Sequence, residues 1–380
     1  MIYLDHNATT PLCPEALEAM LPFLRENWAN PSSGYRFARQ ARQAVEKARG
    51  QVAALAGAEP EEIIFTSGGT ESCNTAIRSA LASQPGRRHL VTCATEHDAC
   101  LRVAEALAGE GVETTVLGVD AEGRLDLAAL EAAIRPGETA LVSLMWANNE
   151  TGVVHPIAEA AALAREKGAL FHTDAVQAAG KTPLALGALP VHYASFSAHK
   201  FGGPKGVGAL YVKGTARFAP WLLGGGQEGG RRSGTLNVPG IVGMGAAAEA
   251  ALGHLEKDGG VLAARRDAFE AALTEKIAGV RVLGAQAPRL PSTSLFQIDG
   301  VDAQGAIILL DNAGICLSNG SACATGSIKP SHVLTAMGLA SRPAREALRL
   351  SFGHSTTDAE LATALEALII AAGKLRAIRK

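Results

Sequence analysis

The sequence predicts an α/β protein, in which helices cover both faces of a mostly parallel seven-stranded sheet and a smaller α+β domain follows. Two observations carry that expectation. Short apolar runs alternate with helical patterns over the first two-thirds of the 380 residues, which is the signature of repeated βα units. Aromatic residues make up only 4% of the chain while Ala and Gly abound, a balance that favours closely packed helices and strands over a β-sandwich. The 47% hydrophobic content is enough for a sizeable core without disulfide or metal staples.

In chain order the apolar runs place strands at 63–66, 90–94, 114–117, 140–146, 169–173, 193–197 and 208–212, with helical stretches such as 71–81, 98–107 and 157–167 between them. An Ala-rich region from about 241 to 277 reads as one long helical stretch. Beyond it, strands near 280–283, 294–298 and 348–352, with helices near 302–313 and 357–377, make the smaller α+β domain. The Gly-rich stretch 224–234 contains Gln227, Glu228, Arg231 and Arg232 and reads as an ordered binding loop; a structural turn is its alternative.

Net charge is −2, with no basic block, which argues against nucleic acid as a direct partner. No apolar run is long enough to span a bilayer, and the opening residues lack a basic, then apolar, leader. A cytoplasmic protein is expected. Its six scattered cysteines (Cys13, Cys73, Cys93, Cys100, Cys316 and Cys323) read as free thiols.

Ligands of parallel sheets bind beyond the carboxyl ends of the strands, so the residues after each strand matter most. Ser67-Gly68-Gly69-Thr70-Glu71 enters a helix and can present backbone N–H groups to an anion; a plain turn before a helix is the alternative. It is no nucleotide P-loop, and Gly180-Lys181-Thr182 lacks the earlier glycine that such a loop needs. No Gly-x-Gly-x-x-Gly unit stands between a strand and a helix, which disfavours a nicotinamide dehydrogenase. His97 follows the next strand and could stack on a flat ring or move a proton. A metal site at Cys93, His97 and Cys100 lacks a fourth ligand, and no metal is expected. Asn148 and Asn149, then Asp174, then Lys200 between His199 and glycines, complete the set. Pyridoxal phosphate needs a lysine for its Schiff base, an acid for its ring nitrogen and an anion site for its phosphate. Lys200, Asp174 and the 67–70 loop offer all three.

The motifs Tyr3-Leu4-Asp5-His6-Asn7-Ala8-Thr9-Thr10, Thr66-Ser67-Gly68-Gly69-Thr70-Glu71-Ser72, Thr95-Glu96-His97, Asn148-Asn149-Glu150, His172-Thr173-Asp174-Ala175-Val176-Gln177, Ser197-Ala198-His199-Lys200 and Gly320-Ser321-Ala322-Cys323 run nearly end to end. With them the chain resembles the NifS/IscS-like cysteine desulfurases, a group of the class-V aminotransferases within fold-type I pyridoxal-phosphate enzymes. The resemblance implies a large cofactor-binding domain at 15–255, and a small domain at 1–14 and 256–380 with a mobile catalytic-cysteine loop at 318–327. It implies that Lys200 carries the cofactor, Asp174 pairs with the ring nitrogen, Gln177 contacts the ring hydroxyl and His97 stacks on the ring. It assigns the phosphate to Thr70, Ser197 and His199, with Thr235 reaching it from the partner subunit of a homodimer, and counts Gly69 and Asn149 among the cofactor contacts. Asn149 and Arg349 are the implied ligands of the substrate carboxylate. Tyr35, Trp146 and His354 depart from the family pattern.

Cys323 stands out by itself. Its surroundings, from Ser318 to Ser327, are small and polar with little to bury, which suits an exposed nucleophilic thiol. Cys316, between Ile315 and Leu317, reads instead as an inert core residue. The expected reaction converts L-cysteine to L-alanine, leaves a persulfide on Cys323 and passes sulfur to an acceptor such as an iron–sulfur scaffold protein. A selenocysteine lyase or an aminotransferase on the same scaffold is the alternative.

Overall fold

The computed structural model describes residues 1–258, 260–319 and 330–378. Its main sheet contains β1 (Ile63–Thr66), β2 (His89–Cys93), β3 (Glu113–Leu117), β4 (Thr139–Ser143), β5 (Leu170–Asp174), β6 (Tyr193–Ser197) and β7 (Gly208–Val212). They lie in the order β1-β7-β6-β5-β4-β2-β3. The run from β6 to β3 is parallel throughout, whereas β7 is antiparallel to both β6 and β1. The short connection from β6 to β7 explains the reversal, because a parallel return requires a long crossover. Strands β1, β2, β4, β6 and β7 are buried at every residue. That is why they read as continuous apolar runs rather than alternating ones.

Strand β3 forms one edge and exposes Glu113 and Val116. The other edge, β1, is sealed by side chains. Arg49 Nη1 donates to the Ile63 carbonyl at 2.9 Å, and the Phe65 N–H donates to Glu228 Oε2 at 2.8 Å. Arg49 and Glu228 join through two hydrogen bonds of 2.8 Å each. The pair therefore satisfies an edge strand that has no neighbour on that side, and it fastens the Gly-rich loop to the sheet.

The helices are α1 (Pro14–Arg25), α2 (Arg36–Ala56), α3 (Gly69–Ala82), α4 (Asp98–Ala108), α5 (Leu127–Ala133), α6 (Ile157–Glu166), α7 (Val238–Asp258) and α8 (Val261–Lys276). Glycines on α7 set its distance from α1 and α2: a Cβ on Gly243 would lie 2.6 Å from Met20 Sδ, and one on Gly245 would lie 2.6 Å from Ala48 Cα. The single helical stretch expected over 241–277 is two helices. The break falls beside Gly260, whose φ of +91° favours glycine.

A second core gathers Phe269, Phe296, Ile298, Leu348, Leu350 and Leu365. It is built on an antiparallel sheet, β8 (Val280–Val282), β9 (Thr293–Ile298) and β10 (Ala347–Ser351), with α9 (Ala303–Asn312) and α10 (Asp358–Ile378). The N-terminal segment links the two cores. Leu4 is buried in the second core, and by Thr10 the chain has reached the end of β6, where the Thr10 N–H donates to the His199 carbonyl at 2.8 Å. Cys316 is a correction to the sequence reading. It is half-buried because Ile315 and Leu317 take the inward positions of a short extended run paired with Ile2–Tyr3. No helix among the described residues is long and apolar enough to cross a membrane.

Candidate active site

The expected residues converge beyond the carboxyl ends of β1, β2, β5 and β6. Helix α3 starts at Gly69 with no side chain capping its first amides, which leaves donors and a partial positive charge for an anion. Only glycine fits at two places here. Gly68 has φ +152°, and a Cβ on Gly69 would lie 2.7 Å from Val176 Cγ2. The anion end of α3 therefore presses against the turn that follows Asp174. Ser197 is buried at the end of β6, and a Cβ on Gly68 would lie 3.8 Å from its Oγ. Thr70 is exposed at the start of α3.

Asp174 is buried at the end of β5, and its Oδ1 accepts the Val176 N–H at 2.9 Å. Burial pushes its pKa up, while the nearby charges of His97 and Lys200 pull the other way. A carboxylate in such a place is costly without a cationic partner. A protonated ring nitrogen is a partner of the right kind, and the uncapped helix end is the right kind of site for a phosphate. The residues thus fit pyridoxal phosphate.

His97 caps α4: its Nδ1 accepts the Ala99 N–H at 3.1 Å, which assigns the ring proton to Nε2. His199 contacts Thr9 Oγ1 through Nδ1 at 3.0 Å. Burial, reinforced by Lys200, Lys205 and Lys181, lowers its pKa to about 4, so the ring is neutral at pH 7.

Lys200 Nζ donates to the carbonyls of Asn7 at 2.6 Å and Ala8 at 2.7 Å. Gln177 Nε2 donates to the same Asn7 carbonyl at 2.8 Å. Asn7 Nδ2 in turn donates to the Asn149 carbonyl at 3.1 Å and to Thr293 Oγ1 at 3.0 Å. Arg349 is fully buried on β10, with Nη1 on the Asn149 carbonyl at 2.8 Å and Nη2 on Asp5 Oδ1 at 2.6 Å. Lys200, Gln177, Asn149 and Arg349 are therefore one connected group, and Asn7 is its hub. The N-terminal motif was legible as a match, but its role was not. Asn7 meets these residues across separations of 142 to 193 positions, and no local spacing signals such contacts.

Cys323 lies outside the described residues, as do Gly320, Ser321 and Ala322. The chain on one side of them is tied to Arg349, and on the other to the neighbours of Asn149 and His97. Ser318 and Arg349 exchange backbone hydrogen bonds of 3.2 and 2.7 Å. Ser331 Oγ donates to the buried Glu150 Oε2 at 2.6 Å, and His332 Nε2 donates to the Glu96 carbonyl at 2.9 Å. Burial raises the pKa of Glu150. Glu96, wholly buried beside His97, is pushed well above the ordinary range, chiefly by burial.

The thiol of Cys100 faces Cys73 and Asp174, all within 4.8 Å of one another, rather than forming a set with Cys93 and His97. Thr235 is exposed. Trp146 is buried, Tyr35 is exposed, and the ring of His354 lies 4.5 Å from that of His254.

Comparison with known proteins agrees with this geometry. The family model for class-V aminotransferases matches residues 2–363. A cysteine desulfurase from Cereibacter sphaeroides is 50% identical over 379 residues, covering 99% of this chain and 97% of its own. A solved NifS-like protein superposes with a TM-score of 0.90 at 36% identity, covering 97% of this chain and 98% of its own. A structure described as SspA in complex with cysteine gives a TM-score of 0.82 at 34% identity, covering 93% and 99% of the two chains. The fold and site define a fold-type I α/β enzyme. The chain belongs to the class-V aminotransferase family, where it groups with cysteine desulfurases.

Proposed function

We infer that this chain is a pyridoxal-phosphate-dependent cysteine desulfurase that moves the sulfur of L-cysteine onto Cys323 and releases L-alanine. The observation that carries this reading is the anchoring of Ser318 on Arg349 and of Ser331 on Glu150. The described residues on either side of Cys323 are thus held at Arg349 and at Glu150, the neighbour of Asn149.

Pyridoxal phosphate, when bound, supplies the electron sink that loosens the substrate's Cα proton and Cβ–S bond. Lys200 would hold it, Asp174 would face its ring nitrogen, and Gln177 its ring hydroxyl. His97 would cover the ring, while Gly69, Thr70, Ser197 and His199 would take the phosphate. Arg349, with Asn149, would hold the substrate carboxylate, for which the guanidinium fork is suited. Asp5 keeps that fork oriented at 2.6 Å. Lys200 would take the Cα proton, with the Nε2–H of His97 close by to assist. The Cys323 thiolate would attack the substrate sulfur: an S–S bond forms as the Cβ–S bond breaks, and the departing carbon skeleton takes up a proton as alanine. Substrate and thiol together hold the same atoms and electrons as alanine and persulfide, so no outside oxidant is required.

The persulfide would then pass to an acceptor such as an iron–sulfur scaffold protein. We also read the protein as cytoplasmic, since the five cysteines among the described residues are all unbridged, and as a homodimer in which Thr235 serves the partner subunit's phosphate site.

The test is to incubate purified protein with L-cysteine alone, quantify alanine, and map the persulfide by mass spectrometry. Cys323→Ala should keep the visible absorbance of bound cofactor and form no persulfide. Persulfide-dependent alanine formation surviving in that variant would overturn the assignment. A requirement for an oxo-acid co-substrate would indicate an aminotransferase instead.

A further inference from the structure

Lys181, in the Gly180-Lys181-Thr182 run that is no P-loop, is half-buried and its amine reaches into the Lys200 group. Its Nζ donates to Asn7 Oδ1 at 2.9 Å and to Gln177 Oε1 at 2.7 Å. No carboxylate bonds to it among the described residues. The backbone that delivers it is specialised: Gly180 has φ +72°, and a Cβ there would lie 2.9 Å from Phe201 Cβ and 3.1 Å from Ala251 Cβ.

Two lysines thus meet on one asparagine, Lys200 at its carbonyl and Lys181 at its side-chain oxygen. We propose that Lys181 is a positioning residue for Lys200, which orients the Asn7 and Gln177 amides and competes with Lys200 for one proton. The hydrogen bonds fix the first role. With Oε1 of Gln177 accepting from Lys181, its Nε2 must be the donating end, and the same logic turns Asn7 Nδ2 toward Asn149 and Thr293. The second role follows from the charges that face the amine. Lys200 at the end of β6 and Arg349 on β10 act on the amine, and the amine in turn lowers the pKa of His6 and of His199. Of the nearby acids, Asp5 is engaged by Arg349, and Asp174 faces His97 and Lys200. Burial, then Lys200 and Arg349, pushes Lys181 well below the usual lysine range. On two amines held by one asparagine, a proton on one opposes a proton on the other. A base that must shed its proton before taking one from the substrate is aided by such a neighbour.

The proposal rests on the pyridoxal-phosphate reading, and the test separates the two. The visible absorbance of the holoprotein is titrated against pH in wild type, Lys181→Met and Lys181→Gln, with cofactor content and melting recorded for each. Both variants lose the competing charge, so the midpoint should rise by about one pH unit; the acid limb of kcat/KM for L-cysteine should move with it. Gln keeps a donor toward Asn7 and serves if the Met variant does not fold. Unchanged midpoints in a folded, cofactor-loaded variant would overturn the proposal. A wild-type protein without a titrating visible band would overturn the cofactor reading instead.

Discussion

At the scale of single residues, Asp174 separates chemistry from stability. Its carboxylate is wholly enclosed, and burial raises its pKa, so in the apoprotein it opposes folding. With a cationic ring nitrogen beside it, the same charge becomes an asset. Asp174→Asn should therefore lower alanine formation by about 100-fold or more, the effect of removing one partner of a buried ion pair. The melting temperature of its apoprotein should hold or rise. Steady-state assays and calorimetry read the two effects separately, and a large fall in apoprotein stability would show that Asp174 is a structural residue. Lys200 and Asp174 were legible in the sequence because each follows a recognisable strand. The contacts of Asn7 and Lys181 were not, because they form only once the N-terminal segment crosses the sheet.

At the scale of elements, the end of β1 and the start of α3 form a fitted joint. Gly69→Ala would drive a Cβ to 2.7 Å from Val176 Cγ2, pushing the anion-binding amides away from the end of β5. Cofactor affinity should fall by about tenfold, an effect of roughly 1.4 kcal/mol, which lies within the usual cost of overpacking. Equilibrium dialysis checks this. A second device crosses three strands: His172 on β5 contacts Ser143 Oγ on β4 at 2.8 Å and Ser195 Oγ on β6 at 2.9 Å. Burial lowers its pKa to about 3, so between about pH 6.5 and 3 the unfolded chain binds a proton that the folded chain refuses. The stability owed to this ring is present above the unfolded value and is lost as pH falls toward the folded one, at about 1.4 kcal/mol per pH unit. His172→Asn should remove that much from the slope of stability against pH in denaturant titrations. Strand positions were readable because most of these buried strands are short, largely apolar runs bounded by glycine and polar residues. The antiparallel course of β7 and the division of the Ala-rich region at Gly260 depend on connection length and a single left-handed glycine, which a composition-led reading passes over.

At the scale of the whole molecule, the N-terminal segment joins the second core to the main sheet. Leu4 packs into the second core while Asn7 bonds Thr293 of β9 as well as Lys200 beyond β6. The remaining feature at this scale is a surface. Trp221, Leu222 and Leu223 are 43%, 42% and 78% exposed, and they lead directly into the Gly-rich stretch 224–234 that Thr235 follows. Glu228 holds that loop to the β1 edge, and Arg232 holds it to Glu71 on α3 at 2.7 Å. An apolar run presented on a loop so firmly tied suits the rigid interface that the proposed homodimer requires, in which Thr235 would reach the phosphate site of the partner subunit. Leu223→Asp should therefore shift the protein from dimer to monomer in light scattering and weaken cofactor retention at the same time. Thr235→Ala should weaken cofactor retention alone, leaving the mass unchanged. A Leu223→Asp protein that remains dimeric would move the interface elsewhere, and a Thr235→Ala protein with unaltered cofactor affinity would remove that residue from the site.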